Sequence, residues 1–489
     1  MAGAMENAIR RIVGSGLVTS NKVARQLKNP WRKHPFLTGI HTPVTEELSL
    51  TDLEVSGDIP TALTGCYARI GPNPFAPDPR GHHWFLGDGM VHGIRLANGR
   101  AEWYHNRYIR SRALEAAGGP QAAPGPRSGP GDTVNTNVLR LAGRTLALVE
   151  AGTPPAELDE SLDTVAYTDF DGALTSPFSA HPHEDPATGE WHAVTYTPLQ
   201  PDRVWHVVIN RDGSVSRQLS VPVPDGPSIH ECTLTKRFAV VFDLPVTLSM
   251  AAMASGFGFP YRWNPQHPAR VGLLPREGSA GDIIWCDVDP CFLFHVANSF
   301  ELDEDTVVID AAVYESMFDH GPDGPNGKPL GLERWTIDLP SRQVRRAALD
   351  HTPQEFPRID DRYFGSQYRH AWSVGVPSEP LSNFAVPNSL YHHDLKAGQR
   401  HSYFFGDNCI GGEFVFVPDS PGAGEGEGCY WVMWWIPGTT SANCKFSTPN
   451  RWPQGQSRAS TFHAVFHRDS TAIGFRTLLD NCWRRTYRV

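Results

Sequence analysis

The chain has 489 residues, more than one compact core usually contains, so it forms either two domains or one large closed architecture. Its 43 Lys and Arg against 53 Asp and Glu give a formal net charge of −10, which argues against a nucleic-acid binder. The 45 glycines and 42 prolines exclude a helical bundle and indicate frequent turns between short strands. No apolar run is long enough to span a bilayer.

Residues 1–28 are predicted to form an N-terminal arm, either a basic amphipathic helix or a docked or frayed terminal segment. The arm carries charges throughout and lacks the continuous apolar region of a secretory signal. The eight cysteines are scattered, with no C-x-x-C pair, and this usage fits a reducing compartment. We therefore predict a cytoplasmic protein.

From residue 47 onward, short strand-like runs alternate with turn signals such as LANGR, LAGRT, FDGAL and NRDGSV. This many hairpins without βαβ alternation predict an all-β fold, built as a closed or radial antiparallel array. One segment differs: Leu244 to Pro275 is apolar, rich in Met and Phe, and helix-like. It is interpreted either as a cap over the array or as the mouth of a tunnel for an apolar ligand, and peripheral membrane contact through it is a further hypothesis.

Three of the 21 histidines stand out by their context. His181 lies in SAHPHEDPATGE, His230 in GPSIHECTLT just before a strand, and His295 at the end of the apolar run CFLFH. Their wide separation places them on different units, which is how a radial β array collects ligands around its axis. Neutral imidazoles oriented by carboxylates suit iron, zinc or copper, and spacing alone does not choose between these metals or exclude structural histidines.

Three glutamates lie in apolar surroundings: Glu150 ends RTLALVE, Glu355 lies in QEFPRID and Glu413 begins EFVFVP. A carboxylate in such a place is costly unless it is paired, and the N–H of a metal-bound histidine is a suitable partner. Salt bridges to arginine are the alternative, and Arg358 lies close to Glu355 in the sequence.

Several long motifs carry a family resemblance: LEVSGDIPTALTGCYARIGPNP, WFLGDGMVHGIRL, AHPHEDPATGE, SIHECTLT, FPYRWNP, ARVGLLPREG, DPCFLFHVANSFE and EFPRID. In these motifs the chain resembles the carotenoid cleavage oxygenase family, which includes apocarotenoid-cleaving and stilbene-cleaving enzymes. The resemblance implies a seven-bladed β-propeller over residues 29–433, with a helical or loop cap above an axial metal site. It also implies one Fe(II) per subunit held by four histidines, of which His181, His230 and His295 match the first three.

In that resemblance Glu150, Glu355 and Glu413 are the carboxylates that orient the ligands. The implied activity is a non-haem Fe(II)-dependent dioxygenase that cleaves a conjugated double bond of an apolar polyene, a carotenoid or apocarotenoid, with O2 into two carbonyl products. Stilbene-cleaving relatives place Lys immediately before the residue that matches Glu150, where this chain has Val149, so a carotenoid is the preferred substrate. Stilbene cleavage, isomerohydrolase chemistry and a non-catalytic propeller that binds an apolar ligand or a protein partner are the alternatives.

Residues 434–489 depart from the family, because the motif GFHG that carries the fourth histidine is absent. We predict a reading-frame shift near Trp434 and Trp435. Codons for His467 to Phe475 exist that, read two bases later, encode PGFHGNWV, and the missing histidine codon then straddles Ser470 and Thr471. A product translated in the present frame would lack a ligand and a closed blade, and is the catalytically impaired alternative.

Overall fold

The computed structural model describes residues 16, 19–51, 53–56, 59, 61, 63–128, 131–378, 388–404, 410–435, 442–445 and 461–465. Residues 19–26 are helical, and two five-residue helices follow, Arg112–Ala116 (α1) and Met250–Ala254 (α2). Short 3-10 helices occur at Pro35–Leu37, Gly39–His41, Ala280–Asp282 and Asp361–Tyr363. The rest of the regular secondary structure in the described residues is β strand.

The strands of the first half of the chain are Ser49–Leu50 (β1), Glu54–Ser56 (β2), Gly65–Pro72 (β3), Gly89–Ala97 (β4), Arg100–Tyr108 (β5), Asn137–Leu141 (β6), Arg144–Leu148 (β7), Ala156–Leu158 (β8), Thr164–Tyr167 (β9), His183–Glu184 (β10), Trp191–Thr195 (β11), Arg203–Ile209 (β12), Val215–Pro222 (β13), Thr233–Leu234 (β14), Phe238–Asp243 (β15) and Val246–Leu248 (β16). The strands of the second half are Tyr261–Trp263 (β17), Arg270–Pro275 (β18), Ile284–Asp287 (β19), Phe292–Glu301 (β20), Thr306–Tyr314 (β21), Pro329–Asp338 (β22), Gln343–Asp350 (β23), Gln354–Arg358 (β24), His370–Gly375 (β25), Ser389–Asp394 (β26), Gln399–Phe404 (β27), Ile410–Gly411 (β28), Val415–Pro418 (β29), Gly428–Trp435 (β30), Ala442–Lys445 (β31) and Thr461–Val465 (β32).

Consecutive stretches of chain form consecutive antiparallel four-stranded sheets, the arrangement of a β-propeller. In strand order these blades are β1-β5-β4-β3 (blade 1), β6-β7-β8-β9 (blade 2), β10-β11-β12-β13 (blade 3), β14-β15-β18-β19 (blade 4), β20-β21-β22-β23 (blade 5) and β24-β25-β26-β27 (blade 6). The all-β propeller predicted from the turn-rich sequence is confirmed.

The predicted number of seven blades is wrong, because in the described residues six sheets have the form of a blade. The last strands do not form another four-stranded sheet. Instead β32, β31, β30 and β28 join the N-terminal β2 in a six-stranded sheet in which β29 also pairs with β30. The physical reason lies in the C-terminal sequence, which loses its strand-and-turn rhythm after Met433 and so does not supply four regular hairpin strands.

In blades 4, 5 and 6 the first strand is more buried than the last. In blade 5, nine of the ten residues of β20 are buried, whereas β23 has no buried residue. Apolar side chains on both faces of the first strands pack against the neighbouring blades, and one hydrophobic cluster joins side chains of blades 3, 4 and 5. The first strands of these three blades also contact one another, β14 with β20 and β20 with β24, so they are the inner strands of their blades.

The predicted helical cap is not confirmed. Leu244 to Pro275 contains only the five-residue helix α2, together with the two-stranded sheet of β16 and β17 and the blade strand β18. Gly256, Gly258 and Pro260 follow α2 and interrupt the apolar run, which explains why a helical pattern in the sequence does not become a long helix.

Candidate metal centre

Three histidines from three consecutive blades meet in one cluster. His181 lies just before β10 of blade 3, His230 just before β14 of blade 4, and His295 within β20 of blade 5. Each offers one ring nitrogen, and the three nitrogens lie within 4.8 Å of one another. The inner strands of adjacent blades thus bring together side chains that are far apart in the sequence.

Two of the three imidazoles are oriented by carboxylates. His230 Nδ1 donates a hydrogen bond to Glu150 Oε2, and His295 Nδ1 donates to Glu355 Oε2 at 2.7 Å. Glu355 is fully buried, on the inner strand β24 of blade 6, and Glu150 follows β7 of blade 2. A proton on each Nδ1 leaves the lone pair on Nε2, the atom that faces the cluster.

Irregular backbone positions both carboxylates. The residue after each of them has a left-handed backbone, with φ of +54° at Ala151 and +51° at Phe356. Register shifts interrupt the pairing of β20 on both sides of Val296 and the pairing of β24 after Glu355. Bulges of this kind re-aim side chains, and strained non-glycine residues cluster at functional sites.

Burial and charge set the protonation of the cluster. Burial lowers the pKa of His181 well below its ordinary value, and the neighbouring imidazoles act in the same direction. Burial also lowers the pKa of His295, but the Glu355 carboxylate outweighs this effect and raises it to about 9. The pKa of Glu150 falls despite its burial, because His230, Tyr196 and Ser228 stabilise the anion. An ionised Glu150 carboxylate therefore lies beside the ring nitrogens of the cluster.

The donor set fits a bound transition-metal ion. The Nε2 atoms of His230 and His295 lie 3.2 Å apart, and both carry lone pairs when Nδ1 donates to a carboxylate. Two lone pairs at this distance repel each other, so a cation lies between them, either the proton that the raised pKa of His295 retains or a metal ion in its place. A third imidazole, His181, completes a set of nitrogen ligands that suits iron, zinc or copper better than calcium or magnesium.

Glu413 is not placed with a histidine. In the described residues it forms an ion pair with Arg358, the alternative left open by the sequence. The position predicted for the fourth ligand, at Ser470 and Thr471, lies outside the described residues, and the side chain of His463 in β32 is not described. The assignment of these side chains as ligands and orienting carboxylates stays a prediction.

Sequence reasoning missed two hydroxyl groups beside Glu150. Tyr196 donates a hydrogen bond to Glu150 Oε1, and Ser228 donates to the same oxygen at 3.3 Å. Ser228 lies two residues before His230, so its proximity was a usable signal, whereas nothing in the sequence marks Tyr196. Together they satisfy the carboxylate oxygen that the histidine does not use.

Aromatic rings make the surroundings of the cluster apolar. The ring of Phe294 lies edge-on to His230 with centroids 5.3 Å apart, and the ring of Phe356 lies 4.9 Å from that of His295. Phe85 and Phe259 extend this aromatic group away from the histidines. Phe85, Phe259 and Phe356 are only partly buried, so apolar surface remains available to a ligand.

Comparison with known proteins places these features in a family. The family model described as RPE65, Retinal pigment epithelial membrane protein, matches residues 41–444. A carotenoid cleavage oxygenase from Mycobacterium tuberculosis is 38% identical over 452 residues, covering 82% of this chain and 90% of the relative. A resveratrol cleavage oxygenase 1 from Aspergillus fumigatus is 30% identical over 453 residues, covering 83% of this chain and 88% of the relative.

Two solved structures have a fold similar to that of this chain. Pseudomonas brassicacearum lignostilbene dioxygenase superposes with a TM-score of 0.78 at 26% identity, covering 90% of this chain and 97% of that one. Cobalt-substituted Synechocystis ACO superposes with a TM-score of 0.75 at 24% identity, covering 87% and 95%, and this similarity supports the fold. The long family match and the 38% identity to a full-length relative show that this chain belongs to the carotenoid cleavage oxygenase family.

Proposed function

We propose that the protein is a non-haem Fe(II)-dependent dioxygenase that cleaves a conjugated C=C bond of a carotenoid or apocarotenoid with O2 and releases two carbonyl products. The observation that carries this proposal is the convergence of His181, His230 and His295, with nitrogens within 4.8 Å of one another and two rings held by carboxylates. These three residues would hold one iron ion per subunit.

When bound, Fe(II) supplies the activation of dioxygen that oxidative cleavage needs. The chain itself orients the ligands: Glu150 and Glu355 hold the protons of two imidazoles at Nδ1, so that Nε2 faces the centre. The buried ring of Phe294 keeps water from His230, and the partly buried ring of Phe356 offers apolar surface to a polyene. Both oxygen atoms of O2 enter the products, one in each carbonyl group.

A carotenoid or apocarotenoid is preferred over a hydroxystilbene. Val149, next to Glu150, is partly buried and apolar, and cannot satisfy a phenolic hydroxyl. Named relatives include both carotenoid and resveratrol cleavage oxygenases, so family membership alone does not choose. Faster cleavage of 4-hydroxystilbene than of any apocarotenoid would reverse this choice.

The test is turnover of an apocarotenoid by the Fe(II)-loaded full chain. We expect two carbonyl fragments on chromatography, oxygen consumption that matches their formation, and near-complete loss of both in His230→Ala. Cleavage that persists in His230→Ala would refute the assignment of the centre. Ester hydrolysis products without oxygen uptake would instead indicate isomerohydrolase chemistry.

A second candidate is a catalytically impaired propeller that binds an apolar ligand or a protein partner without cleaving it. Two observations support it: the family match stops at residue 444, and Glu413 pairs with Arg358 rather than with a histidine. We propose that a frame shift near Trp434 and Trp435 causes both. Resequencing the gene tests this, since an unbroken frame through to Val489 would contradict the proposed frame shift. Ligand binding without oxygen uptake would favour the impaired form.

We also propose that the protein is cytoplasmic and contacts membranes peripherally. In the described residues, no helix is long and apolar enough to cross a bilayer. The N-terminal helix instead exposes Val23 (54%), Leu27 (83%) and, shortly after it, Trp31 (88%), beside the exposed cations Lys22 and Lys33. Apolar side chains interspersed with lysines match an anionic lipid surface, and tryptophan favours the interface.

Sedimentation with phosphatidylserine vesicles tests this contact. The double variant Leu27→Ser, Trp31→Ser is expected to stay in the supernatant, whereas Leu199→Ser, which removes an apolar side chain 56% exposed elsewhere on the surface, is expected to sediment like the wild type. Equal sedimentation of the double variant and the wild type would refute this contact surface.

A further inference from the structure

A buried carboxylate that has no role in the proposed cleavage joins the three ligand-bearing segments to one another. Glu231 follows His230 directly and is 4% exposed. Its Oε1 accepts a hydrogen bond from His183 Nε2 at 2.9 Å, and its Oε2 accepts one from the main-chain N–H of Val296 at 2.6 Å. Both carboxylate oxygens are therefore engaged, each by a different blade.

The partners of Glu231 have a specific relation to the proposed ligands. His183 lies two residues after His181, on β10 of blade 3, and Val296 lies one residue after His295, on β20 of blade 5. Because Glu231 itself lies next to His230, one side chain ties together the segments of all three ligands.

The bulge in β20 explains why Val296 needs this carboxylate. Register shifts on both sides of Val296 interrupt the hydrogen-bond ladder with β21 and free the main-chain N–H of Val296. Val296 is only 4% exposed, so this N–H is buried. A buried main-chain donor without a partner is costly, and the Glu231 carboxylate supplies that partner. The same contact therefore fixes the bulge that aims His295.

His183 is held from its other side as well. Its ring stacks on Phe364, with centroids 4.4 Å apart and an angle of 10° between the ring planes. This stacking limits the rotation of the imidazole, so the bond to Glu231 has a defined direction. The brace formed by His183, Glu231 and the Val296 N–H is thus rigid at both ends.

We infer that Glu231 is a positioning residue that holds the segments of His181, His230 and His295 at the spacing a metal ion requires. The inference rests on the proposed ligand set, but it concerns a residue that touches neither the metal nor the substrate. Carboxylates beyond the ligands that orient a metal site typically change metal affinity about 10- to 100-fold when they are replaced.

The test is Co²⁺ binding to the full chain, followed by visible d–d absorption and by competition with a chelator. Glu231→Leu is expected to bind Co²⁺ about 10- to 100-fold more weakly, with altered band intensities, because the three imidazoles lose their common support. Glu231→Gln still offers an oxygen to the N–H of Val296 and an amide N–H to Nε2 of His183, so it is expected to retain most of the affinity.

Asp132→Leu is the matched control. Asp132 is also a buried carboxylate that accepts a main-chain N–H, from Arg112 at 2.7 Å, and a side-chain N–H, from Arg127 at 2.9 Å, but it contacts none of the three histidines. We expect Asp132→Leu to lose thermal stability while its Co²⁺ affinity stays unchanged. A general loss of stability is thereby separated from the loss of positioning.

A second variant pair keeps the test decisive if Glu231→Leu does not fold. His183→Leu removes one bond of the brace and leaves the Val296 contact in place, whereas His183→Lys keeps a donor for Glu231. We expect weakened Co²⁺ binding in the first and near wild-type binding in the second.

Hydrogen exchange gives an independent readout in the metal-free protein. The amide of Val296 is expected to exchange about ten-fold faster in Glu231→Leu than in the wild type, since it loses its acceptor. Unchanged Co²⁺ affinity in Glu231→Leu would overturn the inference and leave the proposed function intact. A wild-type chain that binds no Co²⁺ would overturn both.

Discussion

Replacement of Glu355 perturbs the centre through the contact of this carboxylate with His295. Its side chain is fully buried and accepts a hydrogen bond from His295 Nδ1 at 2.7 Å. Glu355→Leu removes the acceptor that keeps the proton on Nδ1 and leaves Nε2 free to bind a metal. Loss of such a partner costs about 10- to 100-fold in metal affinity, which is about 1.4 to 2.8 kcal/mol.

Glu355→Gln separates orientation from charge. The glutamine oxygen still accepts from His295 Nδ1, but the negative charge that raises the pKa of this histidine to about 9 is gone. We expect its loss of affinity to lie at the lower end of the range, near ten-fold. The order of affinities is therefore wild type, then Glu355→Gln, then Glu355→Leu.

The assay is chelator competition with Co²⁺ at constant pH on the three proteins, with Glu333→Leu as the control. Glu333 is another buried glutamate, paired with Arg346 at 2.8 Å and hydrogen-bonded to Trp335, and it lies outside the histidine cluster. Its replacement is expected to lower stability but not metal affinity. Wild-type affinity in Glu355→Leu would refute the reasoning that this carboxylate orients a ligand.

Two further predictions concern stability. Burial lowers the pKa of His267, but the hydrogen bonds of this histidine to Asp243 and Asp225 outweigh burial and raise the pKa. These bonds therefore contribute their full stabilisation below about pH 6.5, and the stabilisation falls as the pH rises through the raised pKa. Thermal melts should show this fall in the wild type and not in His267→Gln; parallel curves would contradict it. Gly125→Ala should lower the free energy of unfolding by about 2 kcal/mol or more, because φ is +108° there and a Cβ would lie 2.1 Å from the carbonyl oxygen of Tyr167. A denaturant midpoint like that of the wild type would contradict this.

There is a physical reason why the three histidines could be selected from the sequence. His230 precedes a strand and His295 lies in an apolar run, and in a propeller both positions belong to inner strands that converge on one point. The pairing of Glu150 and Glu355 with those histidines followed from the cost of burying an unpaired carboxylate. Local sequence context was enough because the fold repeats the same geometry in each blade.

The six-stranded sheet that joins the two ends of the chain could not be predicted from the sequence in the same way. Seven regular blades were expected, but the C-terminal strands β28 to β32 pair with β2 in one six-stranded sheet, leaving six four-stranded blades in the described residues. Pairing between the two ends of the chain depends on the whole fold rather than on local patterns. Glu413 illustrates a related limit, since an apolar context predicts that a carboxylate has a partner but does not say whether it is a histidine or Arg358.

The brace around Glu231 shows why motifs alone miss positioning residues. Glu231 lies in the motif SIHECTLT beside His230, but its proposed positioning role depends on contacts with two other blades. One of these contacts depends on a bulge at Val296, and a bulge has no signature in a strand that is buried on both faces. Long-range pairing of this kind becomes visible only when the blades are in place.

The central claim is that the chain uses O2 to split a conjugated double bond at the three-histidine centre. The most direct measurement is mass spectrometry of products formed from an apocarotenoid by the Fe(II)-loaded protein under ¹⁸O2, with rapid trapping of the carbonyl groups. The account predicts one ¹⁸O atom in each of the two fragments and no fragments from His230→Ala. Unlabelled fragments, or cleavage that continues without oxygen, would contradict it.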